Sequence, residues 1–142
     1  MTIEHLKEQC EQWLQAQWQG VYTTQRGVFV VPGLGRTVCM VEVEQIRGGP
    51  SRVNVRAPVL QNVTATPALY EYVATNGGNF LFGAVSLYSE HGPSPVTIEF
   101  DYSLHGDSVT AAVLNHFVAL VGQSAMQLIE QLQPVVGGEP VA

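Results

Sequence analysis

Apolar residues recur at three- and four-residue spacing at Ile3, Leu6, Cys10, Trp13 and Leu14, with Glu4, Lys7, Glu8, Glu11, Gln12 and Gln15 between them. This period predicts an amphipathic helix over residues 2–18. Thr2 suits its N-cap, Glu4 its first turn, and Gly20 ends it. The period then shortens to two. Residues 21–31 hold Val28, Phe29, Val30 and Val31 and stop at Pro32-Gly33-Leu34-Gly35. Residues 36–46 alternate Val41 and Val43 with Glu42 and Glu44, and residues 52–57 alternate Val53, Val55 and Ala57 with Arg52, Asn54 and Arg56. The short turns between these runs, including Gly48-Gly49-Pro50-Ser51, predict an antiparallel meander.

Thr66-Pro67 is a start signal for a second, short helix that Asn76-Gly77-Gly78 stops. Residues 79–90 read as a strand apolar on both faces, with Phe80, Phe82, Ala84 and Tyr88 on one side and Leu81, Val85 and Leu87 on the other. After the turn His91-Gly92-Pro93-Ser94-Pro95, Val96, Ile98, Phe100, Tyr102 and Leu104 alternate with Thr97, Glu99, Asp101, Ser103 and His105. That pattern is a strand with one wet face. Asp107 or Ser108 then caps a long helix to about Gln133, with a main stripe of Val109, Val113, Phe117, Leu120, Val121, Ala125, Leu128 and Leu132 that Leu114, Val118 and Ala119 widen. The prediction is one α+β domain over residues 1–133, with a five-stranded antiparallel sheet, helices on one face and the order α-β-β-β-α-β-β-α. Residues 134–142 are expected to form a flexible tail.

Composition narrows the function. Apolar residues are 46% of the chain and charged ones 13%, which excludes a disordered chain. The net charge is −6, and beside the single Lys7 the five arginines spread over strands and turns and make no basic patch. Neither nucleic acid nor an anionic membrane surface is an expected partner. Cys10 and Cys39 are too few and too far apart for a disulfide framework or a metal knuckle. The opening Met1-Thr2-Ile3-Glu4-His5 lacks a basic region followed by an apolar run, and no stretch is expected to span a membrane. The expected compartment is the cytoplasm.

Several features between residues 67 and 132 carry a family likeness: the break Asn76-Gly77-Gly78-Asn79, the segment Phe82-Gly83-Ala84-Val85-Ser86-Leu87, the corner Leu104-His105-Gly106-Asp107-Ser108-Val109-Thr110, and the helix spacing Phe117, Leu120, Val121, Ala125, Leu128. With this element order the chain resembles the class I chaperones of type III secretion and the related bacterial YbjN family. The resemblance implies a small, acidic, cytoplasmic, dimeric protein that holds a segment of a client on apolar surface, and it carries no catalytic residues.

The residues themselves supply little chemistry. His5, His91, His105 and His116 lack ligand spacing, so no metal site is expected. Cys10 and Cys39 fall on buried positions, and no nucleophile elbow is present, so no catalytic residue is assigned. Glu42, Glu44, Glu99 and Asp101 could share one sheet face as an acid–base set. Arg52 and Arg56 across the meander make a solvated, counter-charged face the better reading. The apolar surplus is the feature above background. Trp18 stands off the stripe of its helix, and Phe80, Phe82 and Tyr88 crowd one strand. These four are the candidate partner-binding residues. The expected function is non-enzymatic binding of a protein or peptide client, as a homodimer, without a cofactor. The alternative is a small-molecule-binding or enzymatic domain with a cavity between sheet and helices.

Overall fold

A computed structural model describes all residues except Met1, Asn79, Leu81 and His91. The elements run α1 (Ile3–Gln17), β1 (Tyr22–Thr23), β2 (Phe29–Leu34), β3 (Thr37–Gln45), β4 (Ser51–Val63), α2 (Pro67–Asn76), β5 (Ala84–Tyr88), β6 (Val96–His105) and α3 (Ala111–Val136), with a 3-10 turn at Gly106–Ser108. The architecture is α+β with one antiparallel sheet, ordered β1-β2-β3-β4-β6-β5. Among the described residues it has six strands rather than five. The expected strand over 21–31 is two pieces, because Gly27 takes φ +81 and turns the chain. Thr24 and Val28 close that turn through Thr24 N–H to Val28 O at 2.9 Å.

The long β4 sits at the centre and pairs with β3 through Met40–Arg56 and with β6 through Arg52–His105 and Val63–Val96. It runs six residues past the expected end at Ala57. Pro58 is tolerated there because it lies beyond the last β3–β4 pair and at a register shift against β6. The buried Thr37 hydroxyl donates to Pro58 O at 2.6 Å.

Val41, Val43, Val53, Val55, Ala57, Ile98 and Phe100 form the apolar face of the sheet. The helices cover it. Leu6, Cys10 and Leu14 of α1 are buried, whereas Trp13 is only half-buried. The buried side of α3 is Leu114, Val118, Val121, Gly122, Ala125, Leu128, Ile129 and Leu132. That side keeps Val121, Ala125, Leu128 and Leu132 of the expected main stripe but turns toward its widening at Leu114 and Val118, so Val113, Phe117 and Leu120 stand on its flank, half-buried. Thr110, not Asp107 or Ser108, caps α3, accepting from Val113 N–H at 3.2 Å.

α3 is long and apolar enough to cross a membrane by length and composition, against the expectation that no stretch reaches that length. Here its apolar side lies on the sheet. Residues 134–136, expected in the tail, continue the helix through Pro134. Beyond it, Glu139 and Gln61 exchange backbone hydrogen bonds of 2.8 and 2.9 Å, which ties the last residues to β4.

Candidate functional site

The four candidate residues do not converge. A continuous strand over 79–90 would place Phe80, Phe82 and Tyr88 on one face. Gly83 breaks the alternation with φ +72, and a Cβ there would lie 2.5 Å from Asp101 O. Phe80 and Phe82 therefore drop to the helix side, while Ala84, Ser86 and Tyr88 of β5 point the other way, opposite Asp101, Glu99 and Thr97. Asn79 and Leu81 of the same predicted strand, and His91 of the turn after it, lie outside the described residues.

Phe80 and Phe82 meet Phe100 edge-on at 5.2 and 5.7 Å between ring centroids. Phe82 also meets Phe117 at 5.9 Å, and Phe117 stacks on Tyr102 at 4.5 Å. These rings satisfy one another and are packing first. Phe117, expected mid-stripe, is the outer wall of this cluster.

Trp18 has a different setting. It is the C-cap of α1, with extended backbone, and its N–H still donates to Leu14 O at 2.8 Å. Its indole N–H donates to Asn115 Oδ1 at 3.0 Å, and the Asn115 amide donates to Trp13 O at 3.5 Å. Asn115 thus clamps the end of α1 to α3. Sequence reasoning missed it; its only signal was a polar residue inside an apolar helical run.

Beside this clamp an open groove of about 500 Å³ runs between Trp18, the β2–β3 hairpin and α3. Gly33, Leu34 and Gly35 form one wall, and Ala119, Gly122 and Met126 form the other. The walls approach closely because they are bare. A Cβ on Gly35 would lie 2.9 Å from Met126 Cε, and one on Gly122 would lie 3.2 Å from Leu34 Cδ1. Met126 Sδ accepts the Arg36 N–H at 3.0 Å, which pins the hairpin tip to α3. Gln123 and Gln127 line the same groove. A lining of indole, thioether, leucine and bare backbone can hold an apolar side chain, and a Met wall adapts to several shapes.

The acids lie on the opposite sheet face and are matched by arginines. Arg52 Nε and Nη2 reach Glu44 Oε2 at 3.0 and 2.7 Å. Arg56 lies 3.9 Å from Glu42 and 3.9 Å from Glu99. Burial raises the Glu99 and Asp101 carboxyls above their ordinary range, and Arg56 opposes that rise.

Burial likewise pushes the Cys10 and Cys39 thiols up to about 12, which leaves them protonated at neutral pH. Cys39 Sγ donates to Val118 O at 3.3 Å, as a core residue does. Among the described residues no group of three or more His, Cys, Asp or Glu could hold a metal ion.

No protein-family model matches the chain, and no curated protein matches it. Among solved structures it is similar to YbjN of E. coli, described as a proposed transcription regulator, with a TM-score of 0.69 and 12% identity over 92% of this chain and 93% of that one. Likeness at that identity shows the fold, and the fold is YbjN-like.

Proposed function

We propose that this chain is a non-enzymatic protein- or peptide-binding module that holds an apolar segment of a client in the groove beside Trp18. The observation that carries the reading is the groove itself, an open apolar trough whose walls keep their approach through Gly35 and Gly122. Trp18 is its aromatic edge, and buried aromatic anchors dominate binding energy at such sites. The client-holding role implied by the resemblance to type III secretion chaperones supports the same reading. No cofactor, cytoplasmic residence and a homodimer belong to this proposal. Half-buried Val113, Phe117 and Leu120 on the flank of α3 support the dimer, which light scattering across micromolar concentrations would test. A regulatory role of the kind proposed for YbjN would run here through protein contact, since a chain of net charge −6 offers little to phosphates.

The test is site-specific photo-cross-linking in cells. A cross-linking side chain at Gln123, in the groove, should capture a discrete partner that the same group at Glu71, exposed on α2, does not. Equal capture at both positions, or none at Gln123, would refute the reading.

A further inference from the structure

The open sheet face carries a cleft of about 370 Å³, independent of the Trp18 groove. That size is within the range of about 300–1,000 Å³ usual for small-ligand pockets. Arg26 stands at one end and Tyr88 at the other. Val28, Met40 and Pro58 supply apolar wall between them, and Arg56 and Glu99 lie in the middle.

The two central charges are incompletely used. Glu99 is 9% exposed, yet among the described residues its carboxylate takes no hydrogen bond. The contact it has is Arg56 Nε at 3.9 Å, too long for a hydrogen bond. Arg56 Nε is itself buried without an acceptor. A buried donor without an acceptor is costly, and the mostly buried Glu99 carboxylate still keeps some surface open to the cleft. A ligand that presents a donor to Glu99 and an acceptor to the exposed part of the Arg56 guanidinium, whose side chain is 31% exposed, uses both groups.

We propose that this cleft binds the head group of a free α-amino acid, with the ammonium on Glu99 and the carboxylate on Arg56. In such a molecule the two groups are joined through one carbon, which matches protein partners a few ångströms apart. The zwitterion adds no net charge to a cleft lined by Arg26 and Arg56 and by Glu42, Glu90 and Glu99. Arg26 offers the carboxylate a second cation. An apolar side chain would lie on Val28, Met40, Pro58 or Tyr88, so the ligand class is an apolar amino acid.

Isothermal titration calorimetry with free leucine, methionine and phenylalanine tests this. At least one should bind with a dissociation constant below about 1 mM. Its amide, which lacks the carboxylate, and its N-acetyl derivative, which lacks the ammonium, should each bind at least about tenfold more weakly. Glu99→Gln and Arg56→Lys should each weaken binding by a similar factor while the fold still melts cooperatively. If Glu99→Gln fails to fold, Arg56→Lys and the two blocked ligands still decide the matter. No binding up to about 10 mM, equal binding of the blocked derivatives, or unchanged binding in both folded variants would overturn the assignment.

Discussion

The two faces of this sheet come from the same alternating strands and reach opposite solutions. On the covered face Val53, Val55, Ala57, Ile98 and Phe100 have no exposed surface. On the open face the intervening residues, Glu42, Arg56, Glu99 and Asp101, are charged and lie close together. The covered face derives its stability from apolar burial, which is roughly additive in area. The open face holds charges whose desolvation opposes their attraction, so it contributes little and stays sensitive to pH. Stability therefore belongs to the covered face and its helices, while the two proposed sites lie at its margin and on the open face.

Phe100→Ala tests the contrast most severely. The ring is fully buried against Phe80 and Phe82, and its loss should cost about 3–5 kcal/mol in a denaturant melt. Phe117→Ala, at the half-buried rim of the same cluster, should cost about 1–2 kcal/mol, from partial burial and its stack on Tyr102. Equal costs for the two would mean that α3 packs in the register read from the sequence rather than the observed one.

That register shows where sequence reading reaches its limit. Helix 1, the Thr66 cap, the alternation of β3 and β6 and the single-sided helices were legible, because period and capping chemistry are local. The rotation of α3 was not. Its apolar residues cover more than half the helix, so the sequence allows several buried sides, and Asn115 and Gly122 select one by tertiary contact. Gly83 hid the split of Phe82 from Tyr88 for a similar reason, since a positive φ reverses the phase of a strand without changing its composition. Of the candidate site, Trp18 was legible as an aromatic off its stripe. The bare walls at Gly35 and Gly122 were not, because they come from separate elements.

On the open face the expected effects are smaller and change with pH. The Glu99 carboxyl sits above its ordinary value of 4.5, with burial as the first cause, Arg56 opposing it and Asp101 adding to it. A carboxyl raised on folding binds its proton more tightly in the native state. Its contribution is thus most favourable below about 4.5 and declines as pH rises through the native value. Glu99→Gln should therefore gain stability relative to wild type as pH rises over that interval, read from thermal melts at several pH values. A gain that shrinks with rising pH would mean that Arg56 outweighs burial.

The smallest effect expected is for Glu44→Gln. Its pair with Arg52 is short at 2.7 Å, but the side chains are 32% and 43% exposed, so the loss should be about 0–1 kcal/mol and should shrink further in high salt. A larger, salt-independent loss would place this pair in a more buried setting than the open face provides.

In the proposed function, clients are held at the margin of the covered face, in the groove beside Trp18. The most direct measurement is a two-dimensional amide spectrum of the labelled protein, titrated with the segment that cross-links at Gln123. Shifts should concentrate on the Trp18 indole, the Gly33 and Gly35 amides and the α3 amides from Ala119 to Gln127, with Met40, Arg56 and Thr97 unmoved. Shifts centred on Met40, Arg56 and Thr97, with the Trp18 indole unchanged, would contradict it.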